Sequence, residues 1–190
     1  STSENKEIEK RIAITPEITK KYINLGFQIQ LIKNYGTHIG FEDSKFKDVG
    51  AKIINDEKEL FNNSNIVVQL GLPKESQRLM MNENQTLIGI FNAYQNKDEI
   101  KNFSLKNINV FSLELLPRIT RAQSMDILSS QANLAGYKAV IESFAFFEKA
   151  IPMMMTAAGT VPAAKVLVVG AGVAGLQAIA TAKRMGAIVF

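Results

Sequence analysis

Lys165 to Phe190 reads KVLVVGAGVAGLQAIATAKRMGAIVF, and the reading of this stretch decides the fold. Val166 to Val169 is an apolar run of strand length that leads directly into Gly170-Ala171-Gly172-Val173-Ala174-Gly175. An amphipathic helix leaves the glycines, and Ala187 to Phe190 is a second strand. G-x-G-x-x-G alone arises often by chance; the strand before it, the helix after it and the second strand behind make it specific. Each glycine has a mechanical role. Gly170 permits the tight turn, Gly172 lets a pyrophosphate approach the backbone, and Gly175 lets the helix pack closely on the strand. The helix N-terminus then offers N–H groups and a positive dipole end to phosphates. The frame is predicted to open a Rossmann fold that holds a dinucleotide; the plainer alternative is a glycine-rich turn with no ligand. No arginine in the turn is available for a 2′-phosphate, so NAD(H) is expected over NADP(H). The acidic residue that holds the adenosine ribose belongs about 20 residues past the turn. That position lies beyond Phe190, so the chain is expected to be a fragment of a longer polypeptide.

Upstream, helix-like and strand-like segments alternate. Thr15-Pro16-Glu17 is a helix start, with a cap, a proline suited to the first position and an acid at the positive end. Ile18, Tyr22 and Leu25 follow at helical spacing, and Gly26 is a C-terminal stop. Strands are predicted at Phe27–Ile32, Ala51–Ile54, Asn65–Leu70, Thr86–Phe91 and Asn109–Leu115. Helices are predicted at Asp56–Asn62, Lys74–Met81 and Lys97–Phe103. Short strands separated by helices, with no two-residue hairpin between them, indicate parallel β-α-β units. After Pro117 the pattern changes: Gln123 to Lys149 has no proline and one glycine, which predicts a long helix, and Ile151 to Ala164 reads as a hinge loop. The expected fold is therefore α/β, with two Rossmann-like doubly wound lobes on parallel sheets, the second truncated after its second strand. Residues 1–124 form the first lobe, 125–150 the connecting helix, and 151–190 the hinge and the start of the dinucleotide lobe.

Bulk properties exclude several functions. With 46% hydrophobic and 21% charged residues the chain has the balance of a soluble globular protein. The absence of cysteine removes disulfides, zinc fingers and a thiol nucleophile, and no metal site is expected. A net charge of +4 comes from lysines and arginines mixed with acids, which reads as a solvated surface and not as a nucleic-acid stripe. Val166 to Ala182 imitates a membrane span, but its glycines suit a strand, turn and helix. Ser1 to Lys10 is too polar for a signal peptide.

A second segment draws notice: Pro117-Arg118-Ile119-Thr120-Arg121-Ala122-Gln123-Ser124-Met125-Asp126. It follows a strand and opens the long helix, where open α/β sheets bind ligands. Arg118, Gln123 and Asp126 offer donors and acceptors suited to a carboxamide and ribose hydroxyls. A helix start capped by Ser124, with Asp126 near its first turn, accounts for the same residues without a ligand.

The run PRITRAQSMDILSSQANLAGYKAV, with VLVVGAGVAGLQAIATAKRMGA, resembles the soluble NAD(H)-binding domain I of the proton-translocating NAD(P) transhydrogenase alpha subunit. KRIAITPE (Lys10 to Glu17) is similar to the same family and to its relative alanine dehydrogenase. The resemblance covers nearly the whole chain. It departs at a polar N-terminus, where the family usually opens with a hydrophobic strand, and at a C-terminus inside the second lobe. By this resemblance Arg118 to Asp126 is the mobile loop beside the nicotinamide. It implies contacts at Arg118, Gln123, Asp126 and Ser129, with Tyr137 close by and Val173 touching the dinucleotide. Ile119, Thr120, Arg121, Ser124 and Met125 then belong to the cofactor-binding loop, and Ala174 to the turn. Arg118, Gln123 and Asp126 are the candidate catalytic residues. The family further implies NADP(H) on a partner domain, a transmembrane proton-channel domain and a homodimer. It places the domain at the bacterial cytoplasmic face or mitochondrial matrix face of a membrane.

Three activities compete. Alanine dehydrogenase needs a carboxylate clamp and a proton-transferring group. Arg11 is available as the clamp, but the histidine expected in Leu87 to Asn92 is replaced by Asn92, and no lysine lies near Gln69-Leu70-Gly71. The sole histidine, His38, sits in a glycine-rich loop and reads as solvated. Transhydrogenation passes hydride directly between two nicotinamide rings, so it needs positioning and exclusion of water and no proton-moving group. A polar, non-titrating loop fits that need, and direct hydride transfer between NADH and NADP+, coupled to proton translocation, is the preferred reading. A non-catalytic NAD-binding module is the third.

Overall fold

The Thr15 hydroxyl accepts the Ile18 N–H at 3.4 Å and Pro16 takes the first helical position, which together start α1 (Pro16–Asn24). The computed structural model describes residues 9–190, so the reading of a polar start in place of an opening strand falls largely outside the described residues. Gly26 turns left-handed at φ +93° to end the helix. Phe27 donates its N–H back to the Tyr22 carbonyl, and its ring meets that of Tyr22 edge-on at 6.1 Å. That closure absorbs Phe27 into the helix terminus, and β1 runs only over Gln30–Ile32.

Alternation then proceeds through α2 (Asp43–Asp48), β2 (Lys52–Ile54), α3 (Glu57–Asn62), β3 (Ile66–Leu70), α4 (Glu75–Met80), β4 (Thr86–Ile90), α5 (Lys97–Leu105) and β5 (Asn109–Ser112). Helix α2 adds an element to the expected series; its sequence DSKFKD is polar apart from Phe46, which is fully buried. β1 pairs with β2, and β3 with β4 with β5, every pair parallel. Two apolar clusters support these sheets, one of Leu31, Tyr35, Phe46 and Ala51, the other centred on Phe61, Leu87, Phe91 and Phe103. The last strand stops short of the expected Leu115. Instead Leu113–Leu115 forms a 3-10 turn that carries the Glu114 carboxylate back to β4. There it accepts N–H groups of Phe91 (3.2 Å) and Ala93 (2.9 Å) and the Ser112 hydroxyl (2.7 Å).

The chain forms two compact units, the first running to Pro117 and the second spanning Arg118–Phe190. In the second, a 3-10 segment (Thr120–Met125) precedes α6 (Ile127–Phe146). The helix is shorter than the expected Gln123–Lys149, because the Asp126 carboxylate caps it and the residues before follow the tighter 3-10 path. The cap is Asp126 and not Ser124. The expected hinge contains a hairpin, β6 (Met154–Thr156) and β7 (Gly159–Val161), antiparallel across Ala157-Ala158. Two alanines carry no turn signal, so nothing in the sequence pattern marks this two-residue connection. β8 (Lys165–Val166) and β9 (Ile188–Val189) pair in parallel on either side of α7 (Val173–Arg184). Hydrogen bonds from Ile188 to Ala164 and from Val168 to Phe190 lengthen that ladder at both ends. α6 packs along α7 over Val140, Ala178 and Ala182. No helix among the described residues is long and apolar enough to cross a membrane.

Candidate functional site

The turn between β8 and α7 has the geometry its glycines foretell. Gly170 stands at φ +103°, a conformation that L side chains rarely adopt. A Cβ on Gly175 would lie 2.0 Å from the Gly170 carbonyl oxygen, so only glycine lets the helix sit this close to the turn. Gly172 is the N-cap, extended at φ −72°, with open space where a Cβ would go. No side chain caps α7 and no acid lies in its first turn. Its first hydrogen bond is Leu176 N–H to the Gly172 carbonyl, so the N–H groups before it have no helical carbonyl to reach. A positive helix end without an internal anion, lined by small residues, suits a phosphate ligand.

Beside this turn lies a cleft of about 640 Å³, within the usual size of a ligand pocket. Its wall is the polar side of α6: Gln123 from the 3-10 segment, then Asp126, Ser129, Ser130, Asn133 and Leu134. Val173, the first residue of α7, closes the other side. The Asp126 carboxylate accepts the Ser129 N–H at 2.9 Å on one oxygen and the Ser129 hydroxyl at 2.7 Å on the other. Those bonds, helped by the positive charge of Arg118, hold its carboxyl below the usual aspartate range. Asp126 thus presents a fixed negative charge and is a poor proton acceptor near neutral pH.

Of the residues singled out in the sequence, Gln123, Asp126, Ser129 and Val173 meet in this cleft. Gly170, Gly172, Ala174 and Gly175 form the turn and first helical turn beside it. Arg118, Ile119, Thr120, Arg121, Ser124 and Met125 lie exposed along the approach and the 3-10 segment, outside the lining. Tyr137 is 48% exposed on α6, one turn beyond Asn133, and also outside it. Ser130, Asn133 and Leu134 join the lining without having been singled out. Counting polar residues at steps of three and four from Asp126 finds Ser129, Ser130 and Asn133, a signal that a search for apolar periodicity passes over.

The first unit lacks an alanine-oxidising arrangement at the positions considered. Arg11 grips Glu9 with two hydrogen bonds, 2.8 and 2.6 Å. Asn92 stands in a left-handed turn at φ +50° after β4, and the His38 ring lies 2.9 Å from the Lys10 carbonyl.

Parallel β-α units with a strand, glycine turn and helix of this geometry define a Rossmann-like α/β protein. Within that class the chain belongs to the alanine dehydrogenase/PNT family, whose N-terminal domain profile matches residues 2–135 and whose C-terminal domain profile matches 139–190. It is 44% identical over 185 residues to the first portion of the NAD(P) transhydrogenase alpha subunit of Rickettsia prowazekii, covering 95% of this chain and 48% of the relative. The crystal structure of transhydrogenase from Sinorhizobium meliloti superposes with a TM-score of 0.92 at 42% identity, over 99% of this chain and 54% of that one. The alanine dehydrogenase of Methanococcus maripaludis is 26% identical over 187 residues, 97% of this chain and 50% of the relative. The chain spans about half the length of the curated relatives it matches.

Proposed function

We propose that this chain is the NAD(H)-binding component of a proton-translocating transhydrogenase. In this reading hydride passes between NADH held here and NADP+ held on a partner domain, and a membrane domain couples the transfer to proton movement. The observation that carries the reading is the cleft itself, in which Gln123, Asp126 and Ser129 face Val173 beside the glycine turn. Identity of 44% to a transhydrogenase subunit, against 26% to an alanine dehydrogenase, supports the same choice.

The residues fit a dinucleotide. The unencumbered backbone at Gly172 and the first-turn N–H groups of α7 would hold the pyrophosphate. Gln123, Asp126 and Ser129 would hold the carboxamide and ribose of the nicotinamide half, with Arg118 and Tyr137 at the margin. When bound, NADH supplies the hydride. The chain's own residues bind, orient and keep water from the ring, and none of them has to move a proton. Asp126, its charge fixed by Ser129, is an acceptor for hydrogen bonds and not a base. In the same reading residues 1–124 and 151–190 act as two lobes joined by 125–150. The domain works as a homodimer at the cytoplasmic face of a bacterial membrane, or the matrix face of a mitochondrial one.

Calorimetric titration with NADH, followed by hydride transfer to an NADP analogue on the partner domain, tests the proposal. Saturable NADH binding with transfer is the expected result. NAD-dependent oxidation of alanine, or NADH binding with no transfer, would overturn it.

A further inference from the structure

α6 rests on the glycine turn through backbone and not through side chains. Gly136 is buried, and a Cβ built there would lie 2.1 Å from the carbonyl oxygen of Ala174, where ordinary contact begins near 3.4 Å. Ala174 belongs to the first turn of α7, beside the N–H groups that face the phosphate position. One turn earlier on α6, the Asn133 amide donates to the Gln177 side-chain oxygen at 3.3 Å. Gln177 is held in turn by Thr181, its amide donating to the Thr181 hydroxyl at 3.1 Å. One turn later, Val140 packs on Ala178 and Ala182. Asp126, Ser129 and Asn133 lie along the same helix, so their distance from the turn is the distance of α6 from α7.

We infer that Gly136 and Asn133 are positioning residues. The Gly136–Ala174 contact sets the width of the cleft, and the Asn133–Gln177 bridge keeps the polar side of α6 turned toward it. The inference rests on the proposed function and adds a division of labour inside it. A methyl group at position 136 must push the helices apart by more than 1 Å, the difference between 2.1 and 3.4 Å. A displacement of about 1 Å at a reacting pair is worth about 100-fold in rate. The turn that grips the pyrophosphate keeps its own geometry, so affinity changes much less.

The experiment uses the complete enzyme with its NADP-binding partner. Equilibrium NADH binding and single-turnover hydride transfer to an NADP analogue are measured for wild type, Gly136→Ala, Asn133→Ala, Gln177→Ala and the Asn133→Ala/Gln177→Ala pair. Gly136→Ala is expected to slow transfer from bound NADH about 100-fold and Asn133→Ala about tenfold, with NADH affinity within about threefold of wild type. The two bridge substitutions should be non-additive. A merely structural role would lower Tm and leave the rate of the folded, NADH-bound population unchanged. If Gly136→Ala does not fold, Asn133→Ala, whose side chain is exposed, decides the matter. Normal bound-state rates, or rate and affinity falling together, would overturn this inference alone. Wild type failing to bind NADH would overturn the proposed function and this inference with it.

Discussion

The glycine turn at 170–175 and the polar side of α6 from Gln123 to Asn133 border one cleft but are built on opposite plans. The turn works through backbone: a left-handed Gly170, an open Gly172, and N–H groups at a helix end with no acid nearby. The α6 wall works through side chains whose positions depend on a cap at Asp126 and on the seat of the helix against Ala174. Backbone donors cannot be mistuned by one rotamer, which suits them to gripping. Side-chain groups on a helix move together when the helix moves, which suits them to setting distance. Binding and positioning are therefore separable, and substitutions can show whether they separate as described.

The largest effect is expected from crowding the grip. Gly172→Val puts bulk into open space at an ordinary φ, so the fold tolerates it. NADH affinity should nonetheless fall by about 100-fold or more, close to 3 kcal/mol. Calorimetry beside a melting curve measures both, and unchanged affinity would move the pyrophosphate elsewhere. Cofactor choice should follow the same turn: without an arginine for a 2′-phosphate, NADH is expected to bind at least about tenfold tighter than NADPH. Equal or tighter NADPH binding would break the assignment.

The smallest effect concerns the first unit and provides a control. Burial works against the charge on Glu114, but hydrogen bonds from Ser112, Ala93 and Phe91 outweigh it and hold the carboxyl below the usual glutamate range. A lowered value means that its stabilisation is present above the ordinary glutamate range and is lost as pH falls through the lowered one. Glu114→Gln should cost about 1–3 kcal/mol at neutral pH and flatten the acid limb of the stability curve, leaving NADH affinity unchanged. Chemical denaturation from acid to neutral pH checks the first two and calorimetry the third.

The same contrast explains what could be read from the sequence. Gly170, Gly172 and Gly175 announce their backbone roles because few other residues can fill them, and Thr15-Pro16 announces a helix start for a similar reason. The α6 wall is half legible. Gln123, Asp126 and Ser129 stand out through a family resemblance, whereas Ser130 and Asn133 look like ordinary surface residues until the cap fixes the helix phase. The hairpin at Met154–Val161 is illegible because Ala157-Ala158 closes it without glycine, asparagine or aspartate. The end of β5 is misplaced by the pattern because LEL alternates like a strand, while Glu114 is drawn inward by donors at the end of β4, distant in sequence.

The most direct test of the division between grip and positioning is Gln123→Asn in the complete enzyme, with Arg118→Ala beside it. Equilibrium NADH binding is measured with single-turnover hydride transfer to an NADP analogue. Shortening Gln123 by one methylene leaves the glycine turn untouched, so NADH affinity should stay within a few-fold of wild type while transfer slows about 100-fold. Loss of affinity with a normal rate from the bound state would contradict this account and make the α6 wall the clamp.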